Sequence, residues 1–196
     1  MEDRTEQLRK IKDEIIKAKN SPLYDFRIKN NFLPVIGEGN HNAKIMFIGE
    51  APGKNEALTG RPFCGAAGHI LDELLQSISI ARKDVYVTNI VKDRPPFNRD
   101  PLPEEIEFYA PFLVRQIEII KPKVIATLGR FSMAYIMEKF GLGSELKSIS
   151  VMHGKTFTAK TSYGKVTIIP LYHPAVAVYG TSKEILKKDF KILQSY

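Results

Sequence analysis

Apolar residues along this chain fall into two kinds of run. Four short stretches are almost continuously apolar and rich in β-branched residues: Lys44–Ile48 (KIMFI), Val85–Val91 (VYVTNIV), Val124–Leu128 (VIATL) and Val166–Leu171 (VTIIPL). A strand with one wet face would show a polar residue at every second position. These do not, so they suit a parallel sheet covered on both faces. Between and around them the apolar spacing changes to three and four. Residues 3–19 place Leu8, Ile11, Ile15 and Ala18 on one face amid Lys, Glu and Asp. Residues 66–78 gather Ile70, Leu71, Leu74, Leu75 and Ile78, and residues 103–120 carry Ile106, Leu113, Ile117 and Ile120. Pro111 predicts a kink in the middle of the latter helix. A last helix opens on Thr181-Ser-Lys-Glu184, a capping box, and buries Leu186, Phe190 and Leu193. Strands alternating with helices predict a three-layer α/β fold, and with no repeat, low-complexity tract or linker it is one domain over residues 1–196. Sites in such folds lie beyond the C-terminal ends of the strands. That rule singles out the loops Gly49–Gly65, Lys92–Asp100, Gly129–Phe131 and Tyr172–Gly180.

Composition narrows the chemistry. With 196 residues, 43% hydrophobic and 26% charged, the chain is long and ordinary enough for a hydrophobic core, which excludes disordered and fibrous classes. Cys64 is the only cysteine, so neither an intramolecular disulfide nor a Cys-rich zinc or iron–sulfur site can form within one chain. His41, His69, His153 and His173 lack metal-ligand spacing, and no metal site is expected. No apolar run approaches the roughly 20 residues that span a membrane, and the N-terminus MEDRTEQLRK lacks the apolar core of a signal peptide. A cytoplasmic protein with no membrane association is expected. The net charge of +7 permits a nucleic-acid partner without requiring one.

Three loops carry candidate chemistry. The first reads Gly49-Glu-Ala-Pro-Gly53-Lys-Asn-Glu56 and then Gly60-Arg-Pro-Phe63-Cys-Gly65, where glycines let backbone approach a ligand. It is not a P-loop: the glycine spacing is one residue short, and Asn55 stands where a Ser or Thr would hold magnesium. The second strand ends in Thr88-Asn89, and an amide at the end of a buried strand must find partners, either in a neighbouring loop or in a ligand. Beyond it, Pro95 and Pro96 flanked by Lys92, Arg94 and Arg99 suggest a stiff basic rim or a solvated turn. The fourth strand runs into His173-Pro174, placing an imidazole on the same rim as Asn89 and Glu56.

In order along the chain, GEAPGKNE, GRPFCGAAG, DVYVTNIVKDRPPFNRDP, KPKVIATLGRF and YHPAV resemble the motifs of the family 4 uracil-DNA glycosylases, the thermostable bacterial and archaeal type. The likeness runs from about Pro22 to the end. It implies an α/β/α sandwich around a central four-stranded parallel sheet, and a monofunctional enzyme that flips deoxyuridine from DNA and hydrolyses the base–sugar bond. Through it, Phe63 stacks on the flipped uracil and Asn89 reads its Watson–Crick edge, accepting from N3–H and donating to O4. Glu56 lies beside C5 and excludes thymine's methyl. His173 donates to O2 as charge builds on the leaving base, a stabilisation worth roughly 3–4 kcal/mol per donor. Gly49 and Ala51 complete the substrate-binding set, and Ala51 stands where better-known relatives carry an aspartate, so water is left to Glu50 or backbone carbonyls and no strong general base is expected. Pro52, Gly53, Pro95, Pro96 and Arg99 grip phosphates, and the loop of Ala175, Val176, Ala177, Val178 and Tyr179 supplies an apolar wedge.

The chain departs from that family in two places. The family holds a four-iron cluster on four cysteines. The matching positions here are Ala18, Ser21, Asp93 and Tyr109, so the cluster should be absent. Tyr109 and apolar neighbours then fill the vacated volume, with Asp93 at the solvent edge or paired to an Arg or Lys. The second departure is Ala57, where an aspartate usually follows Glu56, which removes a group that would orient Glu56. Residues 57–62 hold neither the insertion nor the histidine of a related subgroup that traps DNA covalently, so turnover is expected. The expected partner is uracil-containing DNA, with a monomer and no obligatory protein partner. Two alternatives remain: a glycosylase with altered base choice (hypoxanthine or xanthine), and a weakly active DNA-binding module that kept the fold.

Overall fold

The computed structural model describes residues 3–178, 180 and 183–196. Its helices are α1 (Arg4–Lys17), α2 (Tyr24–Lys29), α3 (Lys54–Thr59), α4 (Ala66–Ser77), α5 (Pro103–Ile120), α6 (Arg130–Lys139), α7 (Ile149–Met152), α8 (Ala175–Val178) and α9 (Lys183–Phe190). Its strands are β1 (Glu38–Gly39), β2 (Ile45–Gly49), β3 (Tyr86–Asn89), β4 (Val124–Leu128), β5 (Phe157–Thr161) and β6 (Gly164–Leu171). They form one sheet in the order β1-β3-β2-β4-β6-β5. The four inner strands are mutually parallel, as expected, and β1 and β5 add antiparallel edges.

The continuous apolar runs follow from burial on both faces. Met46, Ile48, Tyr86, Ile125 and Ile168 point to one side, where Leu8, Ile11 and Ile15 of α1, Leu113 and Ile117 of α5 and Met133 and Ile136 of α6 cover them. Ile45, Phe47, Val87, Ala126 and Ile169 point to the other, against Leu71, Leu74 and Leu75 of α4 and Leu186 and Phe190 of α9. Successive strand residues thus alternate between two cores, and none has to face water. Helix α5 continues through Pro111 as one helix, so the predicted kink does not break it. The predicted capping box before α9 includes Thr181 and Ser182, which lie outside the described residues. Among the described residues no helix is long and apolar enough to cross a membrane.

A buried polar chain ties the N-terminal helices to the loop after β3. Ser21, between α1 and α2, donates its hydroxyl to Tyr109 Oη of α5 at 2.5 Å, and Tyr109 donates to Asp93 Oδ2 at 2.5 Å. Arg27 of α2 stands 3.4 Å from the same carboxylate and also bonds the carbonyls of Ile15 and Ile16 at the end of α1. Asp93 is buried, not at the solvent edge, because Tyr109 and Arg27 enclose it. Burial pushes its carboxyl pKa up, and the Tyr109 hydroxyl and the Arg27 charge oppose that rise.

Removing the bridging hydroxyl tests this chain. Tyr109→Phe leaves Ser21 and a buried Asp93 each short of one partner, so stability should fall by about 2 kcal/mol. Urea denaturation at pH 7 reads this as a lower midpoint with an unchanged slope; an unshifted midpoint would show that the chain stabilises nothing.

Candidate active site

Parallel strands deliver their C-terminal ends to one edge, and here they enclose a cleft. Gly49 at the end of β2 is in register with Asn89 at the end of β3, while β6 leads directly to Tyr172 and His173. The cleft, about 460 Å³, is lined among others by Glu50, Glu56, Phe63, Asn89, Asn98 and His173.

Glycines permit this convergence. A Cβ at Gly49 would lie 2.4 Å from Asn89 Oδ1 and 2.7 Å from the Phe63 ring, so any side chain there would displace both. At Gly68, in the first turns of α4, a Cβ would meet the Phe63 carbonyl oxygen at 1.8 Å. Phe63 itself sits at φ 48°, in the left-handed region that non-glycine residues occupy only when their surroundings enforce it. Its buried ring stacks on His173 with centroids 5.6 Å apart.

Asn89 is buried, and among the described residues no protein group bonds its side-chain amide. It therefore ties down no neighbouring loop. Its side chain lines the cleft. The backbone beneath it is held by Lys92, whose Nζ donates to the Asn89 carbonyl at 2.6 Å, Gln116 Oε1 at 2.6 Å and Thr88 Oγ1 at 2.8 Å. Thr88 passes its own proton to the Ile36 carbonyl, so all three partners offer lone pairs to a three-donor ammonium. No carboxylate joins them. Burial pulls the Lys92 pKa well below the ordinary lysine value.

Two carboxylates share the cleft under different constraints. Glu56 Oε1 accepts the backbone N–H groups of Cys64 at 3.1 Å and Gly65 at 2.9 Å. Its orientation, expected to suffer from Ala57, is supplied by these amides instead, and Ala57 is packed in the interior. Among the described residues Glu50 has no such donors. Burial and then the nearby charge of Asp100 raise its pKa to about 7, against the pull of Arg130. His173 Nδ1 accepts the Ala175 N–H at 3.1 Å, so the neutral ring carries its proton on Nε2. Burial pushes the His173 pKa down to about 4, partly countered by Glu56, which keeps the ring neutral at physiological pH.

The remaining candidates divide. Ala51, Pro52, Gly53, Pro95, Arg99 and Ala175 line the cleft, while Gly49 lies under it and Pro96 follows Pro95 in the adjoining turn. Arg99 is held by Glu105 through bonds of 2.9 and 2.5 Å, which offsets much of its charge. Lys92 is not on the rim at all: its side chain is fully buried, with Nζ turned to the Asn89 carbonyl, Gln116 and Thr88. Val176 and Ala177 pack back onto the core on the α4 side, leaving Val178 exposed, and Tyr179 lies outside the described residues. Sequence reasoning gave no role to Gln116, Gly68, Gly129 or Asn98, although Gly129 and Asn98 lie in loops it singled out. Gly129, at φ 97°, lets His173 approach to within 3.3 Å of where a Cβ would stand. Only the lysine directly after an apolar strand, Lys92, carried a visible signal of the buried network.

Ala18, Ser21, Asp93 and Tyr109 do come together: the Ser21 amide bonds the Ala18 carbonyl, and Tyr109 joins Ser21 to Asp93. A methyl, a hydroxyl, a carboxylate and a phenol, already engaged with one another and with Arg27, do not fit a four-thiolate cluster.

Comparison with known proteins gives this arrangement a context. The profile of the Uracil DNA glycosylase superfamily matches residues 36–194. A type-4 uracil-DNA glycosylase of Sulfurisphaera tokodaii is 46% identical over 188 residues, covering 95% of this chain and 83% of that protein. The type-4 uracil-DNA glycosylase of Archaeoglobus fulgidus is 46% identical, covering 95% and 91% respectively. That of Thermotoga maritima is 38% identical, covering 94% and 90%.

The imidazole state is directly measurable. Nitrogen-15 NMR of the folded protein should show His173 with its proton on Nε2, unchanged from pH 8 down to pH 5. A ring that becomes doubly protonated near pH 6.5 would contradict this assignment.

Proposed function

The chain belongs to the uracil-DNA glycosylase superfamily, and from that premise we propose that it flips deoxyuridine out of DNA, hydrolyses the base–sugar bond and releases uracil, leaving an abasic site. One observation carries the reading: a buried amide with no protein partner among the described residues lines the same cleft as a stacking ring and a neutral imidazole donor.

Uracil presents an N3–H donor beside an O4 acceptor, and the Asn89 amide complements both. Cytosine reverses the pair, leaving buried groups mismatched, which a polar site rejects strongly. Phe63 supplies a face for the ring, and its position is fixed by Gly49 and Gly68. To Glu56, held by two backbone amides, we assign the crowding of a methyl on C5. When the bond between the sugar C1′ and N1 breaks, its electron pair leaves with the base and spreads onto O2. His173 Nε2–H donates to that oxygen; a neutral donor does so without transferring its proton. The sugar is left as a cation. Glu50, ionised above pH 7, attracts that cation, positions the water that adds to C1′ and takes up the proton the water loses.

Pro95 and Arg99 on one side and Ala175 and Val178 on the other serve as the DNA grip. The polar chain through Tyr109 and Asp93 performs the tethering for which relatives use a cluster, so the enzyme works without iron. It acts as a cytoplasmic monomer with no obligatory protein partner. Purified protein should contain no stoichiometric iron and show no absorbance band near 400 nm.

Single-turnover excision from a uracil-containing duplex tests the mechanism. The rate should rise between pH 5 and pH 8 with a midpoint near 7, as Glu50 ionises. Glu50→Gln should flatten that profile and lower the plateau by about 100-fold, the usual contribution of a positioned base. His173 adds no second inflection in this window, because its pKa lies near 4. Stability runs the other way. Glu50 binds its proton more tightly folded than unfolded, so its contribution is full below about pH 4.5 and is lost as pH climbs through 7. Asn89→Ala should abolish excision while the protein stays folded; full activity in that variant would overturn the assignment.

A further inference from the structure

Phe97 is 94% exposed, more than any other large apolar side chain among the described residues. It is not at the tip of a slack loop. Its backbone lies at φ 56° and ψ 20°, and Asn98 follows at φ 56°, so two consecutive non-glycine residues occupy the left-handed region. The turn around them is closed by bonds from the Asn98 amide to the Pro95 carbonyl at 3.2 Å and from the Arg99 amide to the Pro96 carbonyl at 3.1 Å. Arg94 Nε donates to Asn98 Oδ1 at 2.7 Å, and its guanidinium rests over the Phe32 ring. Two prolines, an arginine brace and an ion pair at Arg99 therefore hold an aromatic ring out in water, in a backbone conformation that glycine would adopt with less strain.

Position gives this ring a target. Pro95, Asn98 and Arg99, its neighbours in the turn, line the cleft proposed to receive the flipped base. The turn follows β3, whereas the exposed Val178 follows β6, at the opposite end of the four parallel strands. Exposed apolar residues thus sit on the loops that follow the two outer members of the four parallel strands. A base leaving a duplex removes a stacking partner from its neighbours, and an aromatic face can replace that partner.

We propose that Phe97 is a second base-stacking site, which packs against a nucleobase adjoining the extruded nucleotide and holds the duplex open. The ring forms no part of the uracil pocket, so its contribution belongs to opening the duplex and not to cleavage. This role rests on the glycosylase reading above. A single strand has no helix to hold open, and excision from it does not need the ring.

Phe97→Ala should therefore lower kcat/KM on duplex uracil DNA by about 10-fold or more, in the range set by one aromatic–base stack. Excision from single-stranded uracil DNA should change less than about 2-fold by the same argument. Phe97→Gly should lose duplex activity equally while its Tm holds or rises, because the left-handed strain is relieved. Unchanged duplex kinetics, or equal losses on both substrates, would overturn the proposal. Binding gives a readout independent of catalysis. The chain has no tryptophan, so Phe97→Trp creates a single reporter. Its emission should be quenched by a duplex carrying a tetrahydrofuran abasic analogue and not by the matched intact duplex. Quenching in a protein that excises no uracil would refute the glycosylase reading alone, whereas equal emission with both duplexes would refute the stacking site.

Discussion

A lysine amine is buried under the candidate site with no acid among the described residues to balance it, and the arrangement around it sets the position of the Asn89 amide. Lys92 is fully buried, and its three donors are used by the Asn89 carbonyl, Gln116 and Thr88. Burying an ammonium is costly, and the structure offsets that cost only while every donor stays matched. The strand end is therefore locked. Asn89 cannot rotate its backbone without exposing Nζ to an apolar interior, and its side chain is left lining the cleft. Gln116 extends the same constraint to α5 and, through the Ile36 carbonyl and Tyr86, to the strand's own face.

Around this anchor the site is assembled by close approach rather than by charge pairing. Glycines at 49, 68 and 129 remove the side chains that would separate Asn89, Phe63 and His173. The resulting enclosure keeps the imidazole neutral and brings the Glu50 pKa to about 7. One group is thereby a neutral imidazole and the other a carboxyl that ionises near pH 7, a division set by environment. The loop after β3 also carries Asp93, four residues beyond Asn89. The Ser21–Tyr109–Asp93–Arg27 chain thus steadies the same segment from the side of the N-terminal helices.

The inner sheet was legible because strands buried on both faces leave unbroken apolar runs. The edges were not. β5 is covered on one side only, with Thr158 and Lys160 in water, and β1 is two residues long and set by its pairing with β3. Asn89 and His173 stood out as polar residues closing apolar strands. Lys92 stood out too, but was read as a rim charge, since lysine is seldom fully buried and only tertiary contacts from α5 create its acceptors. Val176 belonged to an exposed-wedge pattern by its place in the loop, yet the packing of α8 against α4 turns it inward. The hydrogen-bonded chain of Ser21, Tyr109 and Asp93 was legible as residue types. Its hydrogen bonds depend on where α2 and α5 meet.

The central claim is that a fixed amide, pinned from below, selects the base. Its most direct measurement is single-turnover excision from otherwise identical duplexes carrying uracil, cytosine, thymine or hypoxanthine opposite guanine, with abasic sites revealed by alkali. Cutting confined to uracil is the predicted result. Cutting at cytosine, or at thymine or hypoxanthine as fast as at uracil, would contradict it.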